Sequence, residues 1–256
     1  MKLNKLLIVA GHGGKDTGAV ANNIIERDIN LIVAKKVQEL MSKFCDIKMT
    51  RTDNETYLTP YECAVIGNKW GADLALHIHH NGGGGDGAEI IHTVFTEDSM
   101  GDELSEKIAD KFRVIGQNVR RVFSRWNSKE NNDYYSAIRN ADQDAVITEF
   151  AFVDSKDSKM LTDEWLDAEA YAISSALIEF YNLEVKMSYK DVELEEILNM
   201  ALENPDDMIN LIDTLVLLSN NNFDLGIIQK SGKFIDDAIL KVFKVAYELG
   251  KEGYYD

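Results

Sequence analysis

Four polar residues of this chain stand where apolar runs end. His12 follows the apolar run of LLIVAGHGGKDTGAV, residues 6–20, His79 lies near the end of DLALHIHHN, and Glu149 ends VITE. Glu26 stands just before or at the start of the first long helical pattern, close in sequence to His12. The glycines around His12 let the backbone turn sharply and approach another group closely. Because ligands of an open parallel sheet bind outside the carboxyl ends of its strands, these four side chains are predicted to converge at one sheet edge.

The types of these residues suit a hydrolytic metal site. Two histidines and a carboxylate with an open position are a common ligand set of catalytic zinc, at about 2.0–2.2 Å from the metal. Zinc lowers the pKa of water from about 15.7 towards 7, and a second carboxylate can take the proton, which suits amide hydrolysis. Ordinary structural roles stay open, since GHGG could form only a tight turn and Glu26 could complement the positive end of its helix. Glu149 fits such a role less well, because a carboxylate in an apolar strand needs a partner.

Strands alternate with helices over the first part of the chain. The predicted strands are LLIVA, DIKMTR, DLALHIHHN, AEIIHTVF and DAVITEFAFV. Four helices are predicted from apolar spacing and from one proline at a first turn. The second begins near Pro60. The apolar faces of the others are Ile29, Ile32, Val33, Val37 and Leu40 in the first, Leu104, Ile108, Phe112 and Ile115 in the third, and Ala172, Ile173, Ala176, Leu177 and Phe180 in the fourth. This alternation predicts the α/β class, with a mainly parallel twisted sheet flanked by helices.

The pattern changes towards the end of the chain. From residue 187 the periodicity is helical in LEEILNMALEN, DMINLIDTLVLLSN and FIDDAILKVFKVAYELG. We therefore predict two domains, an α/β domain over residues 1–184 and a small all-α domain over residues 185–256. Exposed apolar faces on three short helices could join copies of the chain, so a homo-oligomer stays open. Met187, at the boundary, could also start a separate product.

Composition narrows the choice of partners. The formal net charge is −17, from 44 acidic and 27 basic residues. This charge repels phosphate backbones and anionic lipids, so we expect no nucleic acid partner. One short basic group, Arg120, Arg121 and Arg125, is expected to cap or pack locally. Cys45 and Cys63 form no disulfide framework and no CxxC metal site, so we assign both to the core or the surface.

The N-terminal stretch MKLNKLLIVAGHGG imitates a secretion signal. Its apolar run LLIVA is shorter than the roughly 7–15 residues that a signal needs, and no cleavage site of the A-x-A type follows. No stretch approaches the roughly 20 apolar residues of a membrane helix. We therefore expect synthesis in the cytoplasm without a signal peptide, and no membrane insertion.

Four ordered blocks, GHGGKDTGA, IIERDINL, NKWGADLALHIHHN and AVITEFAFVDSKD, resemble the zinc-dependent N-acetylmuramoyl-L-alanine amidases (amidase type 3) of bacterial cell walls and phage endolysins. The resemblance covers about residues 4–182, and four blocks in order are more specific than any single motif. It implies that His12, Glu26 and His79 bind Zn²⁺ and that Glu149 is the catalytic carboxylate.

The run HIHHN contains three histidines, so the register of the third block involves a choice. The family has an apolar residue, the ligand histidine, a variable residue and an asparagine here, which aligns His79 with the ligand and Asn81 with the asparagine. Strand alternation places His77 and His79 on one face and His80 on the other. His79 is therefore the predicted ligand, with His77 as its rival, whereas His80 and His92 are interpreted as bystanders.

Three positions depart from the family pattern. Cys63 stands where an arginine is common, and Asp154 stands where an asparagine is usual. A proline often found before the last strand is replaced within ADQDA. None of these changes removes a predicted metal ligand, but contacts with the substrate are expected to differ.

The resemblance also implies a reaction and a biological setting. It implies hydrolysis of the amide bond between N-acetylmuramic acid and the L-alanine of the peptidoglycan stem peptide. A compact amidase domain followed by one small module is typical of phage endolysins, which act on the cell wall after release and lyse the host. By analogy, residues 185–256 would bind the wall or mediate self-association. Two other classes stay open, another zinc peptidase on a similar fold and a non-catalytic cell-wall-binding protein.

Overall fold

Helices cover both faces of one central sheet. The structure is a computed structural model, and it describes residues 2–183 of the chain. Within them, strands and helices alternate along the chain and four of the six sheet strands are parallel to one another. The predicted α/β class with a mainly parallel sheet is therefore confirmed. The predicted all-α domain, residues 185–256, lies outside the described residues and stays a prediction.

The strands form a central sheet and two short ladders. Their bounds are β1 Lys5–Ala10, β2 Val20–Ala21, β3 Ile24–Ile25, β4 Asp46–Met49, β5 Leu74–Asn81, β6 Ala88–Ile91, β7 Val119–Phe123, β8 Trp126–Asn127, β9 Asn132–Asp133 and β10 Asp144–Phe152. The central sheet has the order β4-β1-β5-β10-β6-β7, and β2 with β3 and β8 with β9 form the ladders. β6 runs antiparallel to β10, and β7 pairs in parallel with β6. The sheet therefore reverses direction beside β10.

The helices divide unequally between the two faces of the sheet. They are α1 Glu26–Met41, α2 Pro60–Trp70, α3 Gly101–Val114, α4 Ser136–Arg139 and α5 Asp163–Phe180. Buried side chains of α1, α3 and α5 share the larger core with one face, and those of α2 and α4 share a smaller core with the other. Covered on both sides, β1 reads as an apolar run after Lys5, and β5 begins as one with Leu74, Ala75 and Leu76. No helix within residues 2–183 has the length and apolar character needed to cross a membrane.

Local sequence explains where α2 begins and ends. The backbone N–H of Glu62 donates to Thr59 Oγ1 over 3.2 Å, and the backbone N–H of Thr59 donates to Glu62 Oε2 over 2.8 Å. This reciprocal capping box satisfies two donors that a helix start would otherwise leave free. Pro60 occupies the first turn, and Gly71 ends the helix in the left-handed conformation. The predicted helix start near Pro60 is confirmed.

Two details differ from the sequence prediction. VRRVF, residues 119–123, forms β7, although its two adjacent arginines obscure a strand pattern. In α1, Ile32 was predicted on the buried face but is 38% exposed, whereas Asn30 is fully buried. Residues four apart lie on the same helical face, so the burial of both Glu26 and Asn30 rotates Ile32 towards solvent.

A buried polar network joins α1, α5 and β5 on the face of the sheet that carries the larger core. His80 Nδ1 lies 2.7 Å from Asn30 Oδ1, and His80 Nε2 lies 3.0 Å from Glu169 Oε2. The side chains of His80 and Glu169 are wholly buried. Burial raises the pKa of Glu169, and the charge and hydrogen bond of His80 oppose that rise. The network thereby ties α1 and α5 to β5.

Glu169→Ala should destabilise the protein. The change leaves the buried imidazole of His80 without one of its partners, and losing one member of a buried polar pair costs about 3 kcal/mol of unfolding free energy. Glu164→Ala, at an exposed position of the same helix, is the matched control and should lower the unfolding midpoint much less. Urea unfolding followed by circular dichroism measures both values. Equal midpoints for the two variants would contradict a stabilising role of the network.

Candidate metal centre and active site

A row of polar side chains crosses the sheet near the carboxyl end of β5. His79 of β5 is paired with Glu149 of β10, which is paired with Glu89 of β6, which is paired with Arg121 of β7. Directly paired residues of neighbouring strands point to the same face of a sheet. Gly11, which follows β1, lies next to His79 in this row. Residues far apart in sequence thus form one continuous polar line.

Three of the predicted residues meet at one end of this row. His12 is in the loop after β1, Glu26 is the first residue of α1, and His79 is on β5. His12 Nε2 lies 3.0 Å and His79 Nδ1 lies 3.1 Å from the same oxygen, Glu26 Oε1. One ligand atom from each of the three residues lies within 4.8 Å of the other two. Within residues 2–183, this is the one group of three or more histidine, cysteine or carboxylate side chains with such spacing.

Glu26 is buried, and hydrogen bonds hold its carboxylate. The backbone N–H groups of Ala19 and His80 donate to Oε2 and Oε1 over 2.9 and 3.1 Å, and Asn30 Nδ2 donates to Oε1 over 3.3 Å. Burial acts to raise the pKa of Glu26, but hydrogen bonds and charges of His12 and His79 outweigh it and hold the pKa well below its usual range. The carboxylate of Glu26 is therefore ionised and can bind a cation.

His12 is held from both sides of its ring. Its Nδ1 lies 3.0 Å from Asp16 Oδ2, opposite the Nε2 that faces Glu26. Burial acts to lower the pKa of His12, but the hydrogen bonds and charges of Glu26 and Asp16 raise it to about 9. A bound cation would replace the proton that this pKa implies. Asp16 would then keep Nδ1 protonated and leave Nε2 free as a ligand.

Glycines make room for these side chains. A Cβ atom on Gly11 would lie 2.2 Å from the ring of His79. A Cβ atom on Gly18 would lie 2.4 Å from Glu26 Oε2 and 2.6 Å from the ring of His12, and its φ of +62° is left-handed. Any larger residue at either position would push a predicted ligand out of place. The first and last glycines of GHGGKDTGA, Gly11 and Gly18, are thus explained by the space that the site needs.

Arg51 positions the loop that carries His12, a role that sequence reasoning missed. It is buried, and its guanidinium donates to the carbonyl oxygens of Ala10, Gly11 and Arg27 over 3.0, 2.9 and 2.7 Å. His12 itself has a left-handed φ of 63°, a conformation that non-glycine residues need support to keep. The sequence contains one signal for this role. Arg51 closely follows the strand DIKM and is therefore at the same edge of the sheet as His12.

Glu149, on β10, lies between the predicted ligands and strand β6. It is paired with His79 in the ladder, and its Oε2 is buried without a hydrogen-bond partner among the described residues. Burial and the negative charges of Glu26 and Glu89 raise its pKa well above the usual value, and His12 opposes the rise. Glu149 lines a cavity of about 200 Å³ together with His12, His77, His79 and Tyr135. A carboxyl group in this position can take up and give back a proton.

The remaining histidines lie outside the ligand group. His77 shares the face of His79 and lines the same cavity, but it is buried, and burial together with the charge of His79 lowers its pKa to about 3. His80 points to the opposite face, into the network with Asn30 and Glu169. His92 faces the carbonyl oxygen of Thr93 over 2.8 Å.

Two positions that depart from the family pattern, Cys63 and Asp154, have different structural roles. Cys63 is buried on α2 and lines the cavity, and burial raises the pKa of its thiol to about 11. Asp154 accepts hydrogen bonds from the backbone N–H groups of Gly83 and Gly84 over 2.7 and 2.9 Å. It therefore anchors the glycine-rich loop that follows β5. Cys63 therefore lines the cavity itself, whereas Asp154 fixes the loop of residues 82–85.

Comparison with known proteins identifies a family and several relatives. The family described as N-acetylmuramoyl-L-alanine amidase matches residues 6–179. The endolysin of Bacillus phage SPP1 is 32% identical over 182 residues, which are 69% of this chain and 66% of the endolysin. The N-acetylmuramoyl-L-alanine amidase CwlM of Bacillus licheniformis is 30% identical over 192 residues, 70% of this chain and 69% of CwlM.

A solved structure shows the same fold. The catalytic domain of CwlV, an N-acetylmuramoyl-L-alanine amidase from Bacillus (Paenibacillus) polymyxa var. colistinus, superposes with a TM-score of 0.61 at 23% identity, covering 71% of this chain and 100% of that domain. The resemblance expected from the four sequence blocks is thus confirmed, and the chain belongs to the N-acetylmuramoyl-L-alanine amidase family.

Proposed function

We propose that this chain is a zinc-dependent amidase that hydrolyses the bond between N-acetylmuramic acid and the L-alanine of the peptidoglycan stem peptide. In this proposal His12, Glu26 and His79 bind zinc and Glu149 is the catalytic carboxylate. The observation that carries the proposal is that nitrogens of His12 and His79 approach the same oxygen of Glu26. The partly buried carboxyl group of Glu149 lies directly beside them, opposite His79 in the ladder. Membership of the amidase family supports the choice of substrate.

The donor set fits zinc. Two imidazole nitrogens and one carboxylate oxygen form a known three-ligand set for catalytic zinc, with a fourth position left for water or substrate. Ligand atoms of one tetrahedral zinc ion are about 3.4 Å apart, since each is about 2.0–2.1 Å from the metal. The 3.0 and 3.1 Å separations between Glu26 Oε1 and the two histidines are close to this spacing. Asp16, Asn30 and backbone N–H groups orient the ligands, as outer partners do in metal sites.

Bound zinc would supply Lewis acidity, which polarises the amide carbonyl and makes water acidic near neutral pH. Glu149 accepts a proton from the attacking water as the new C–O bond forms. It then gives that proton to the departing nitrogen as the C–N bond breaks. The products are a carboxylate on the lactyl group of the sugar and a free amine on L-alanine. The place of Glu149 in the cavity, directly opposite His79 in the ladder, puts its carboxyl group within reach of both steps.

The endolysin of phage SPP1 supports a biological setting for this activity. We infer that the chain is a phage endolysin that acts on the bacterial wall after release and causes lysis of the host. Residues 185–256 would then form a wall-binding or self-association module, and both roles remain proposals.

Mass spectrometry of digested peptidoglycan tests the proposed reaction. The zinc-loaded protein should release stem peptides that begin with L-alanine and leave intact glycan strands. The same sample treated with a chelator should release none, because the metal is removed. Single amino acids as products would identify a peptidase instead, and undigested wall with zinc bound would indicate a binding protein.

Zinc content separates His79 from its rival His77. We expect His79→Ala to lose at least tenfold in zinc affinity and in activity, because a direct ligand is removed. His77→Ala is the matched control on the same strand and face, and it should keep its zinc. Elemental analysis after dialysis against a zinc buffer measures both. Loss of zinc only from His77→Ala would reassign the ligand.

Glu149→Gln tests the catalytic carboxylate. The amide keeps the size of the side chain but does not accept a proton, so kcat should fall by about 10²–10⁴-fold with zinc content unchanged. Glu164→Gln, exposed on α5, is the control and should have normal kcat. Near-normal turnover by Glu149→Gln with zinc bound would refute this role.

A further inference from the structure

Three arginines stand at the β7 end of the polar row. Arg121 is paired with Glu89, and Glu89 is paired with Glu149. Since neighbouring strands are about 4.8 Å apart, the backbone of Arg121 is about 10 Å from that of Glu149. The row that contains a proposed ligand and the proposed catalytic carboxylate therefore ends in a positive charge.

A β-bulge brings a second arginine to the same place. The register between β6 and β7 shifts between the Ala88–Val119 and Glu89–Arg121 pairs, so Arg120 is the extra residue. Arg120 Nη1 and Arg121 Nη2 lie 3.2 and 3.0 Å from the two oxygens of Glu89. Glu89 is buried, but the two arginine side chains are 47% and 51% exposed. One buried carboxylate thus holds two guanidinium groups that still face solvent.

The third arginine has no carboxylate partner within residues 2–183. Arg125 is exposed and stacks over the ring of Tyr134 at 3.7 Å, and its side chain is in hydrogen-bonding reach of Tyr135. Tyr135 lines the cavity that contains Glu149. Arg121 stacks in the same way over Phe123 at 3.9 Å. Stacking on aromatic rings holds both guanidinium planes in place before any ligand binds.

Two acidic residues that follow these arginines in the chain have other partners. Glu130 pairs with Arg139 over 2.5 Å, and Asp133 accepts hydrogen bonds from Thr93 Oγ1 and Val94 N over 2.7 and 2.8 Å. Asp86 also interacts with the charge of Arg120, but it pairs with Lys156 over 3.0 Å. Among the described residues, Glu89 is thus the one carboxylate in an ion pair with Arg121, and Arg125 has none, on a chain whose formal net charge is −17. A local positive site on an acidic protein needs an explanation beyond the local packing that the sequence suggested.

We propose that Arg121 and Arg125 bind a free carboxylate on the second or third residue of the stem peptide, and so select peptides with that group over amidated ones. This inference rests on the proposed amidase function. An extended peptide advances about 3.3–3.6 Å per residue, so about 10 Å from Glu149 corresponds to two or three residues beyond the cleaved bond. The planar guanidinium fork matches a carboxylate with two parallel hydrogen bonds, which a neutral carboxamide does not match.

Two matched N-acetylmuramoyl peptides test the proposal. They share one sequence, and the side-chain or α-carboxylates of their second and third residues are either free or converted to carboxamides. The zinc-loaded full chain should have a kcat/KM about tenfold higher for the free carboxylates, mainly through a lower KM. In Arg125→Gln and Arg121→Gln this ratio should fall towards one. Arg113→Gln, an exposed arginine paired with Asp110 on α3, is the control and should keep the wild-type ratio.

Several outcomes would overturn the carboxylate site. A ratio near one in the unaltered protein would do so, and so would variants that keep the wild-type ratio. Arg125→Gln is the cleaner variant, because it breaks no ion pair among the described residues, and thermal unfolding confirms that each variant is folded. Calorimetric binding of the two corresponding free peptides needs no catalysis. Cleavage of neither substrate would therefore refute the amidase function, while equal binding of both peptides would refute the carboxylate site.

Discussion

The buried carboxylate of Glu26 is the constraint on which the geometry of the site depends. A charge removed from water must be paired and hydrogen-bonded, and Glu26 meets this requirement with groups from two parts of the chain, the loop after β1 and strand β5. The backbone of Ala19, the backbone of His80 and the side chains of His12 and His79 all approach its two oxygens. Since Glu26 is also the first residue of α1, the same contacts decide where that helix begins and which side it turns to the sheet.

The run HIHHN connects this site to the interior of the fold. Alternation along β5 sends His77 and His79 to the cavity and His80 to the opposite core. There Asn30, one turn after Glu26, and Glu169 of α5 satisfy the ring of His80. Glu26 and Asn30 are themselves joined by a hydrogen bond. The polar groups on the two sides of β5 thus form one connected set, and a shift of α1 would disturb both sides together.

The reversal of the sheet beside β10 extends the site in the other direction. β6 runs antiparallel to β10 and places Glu89 opposite Glu149, and the bulge in β7 then gives Glu89 two arginines. The negative charge of Glu89 also contributes to the raised pKa of Glu149. The parallel half of the sheet therefore positions the proposed metal ligands and Glu149, while the antiparallel half places Glu89 beside Glu149 and two arginines beside Glu89.

The sequence by itself determined the α/β class, the order of the main strands and helices, the family, and the four residues proposed for the site. It did so because strand and helix periodicity, capping residues and short glycine motifs are local patterns that depend on neighbours in the chain. Only the tertiary structure decided the burial of Asn30 in place of Ile32, the support of the His12 loop by Arg51, and the partners of Arg121 and Arg125. These depend on helix rotation, strand direction and a bulge, which arise when segments distant in sequence pack together and have no signature within any one segment.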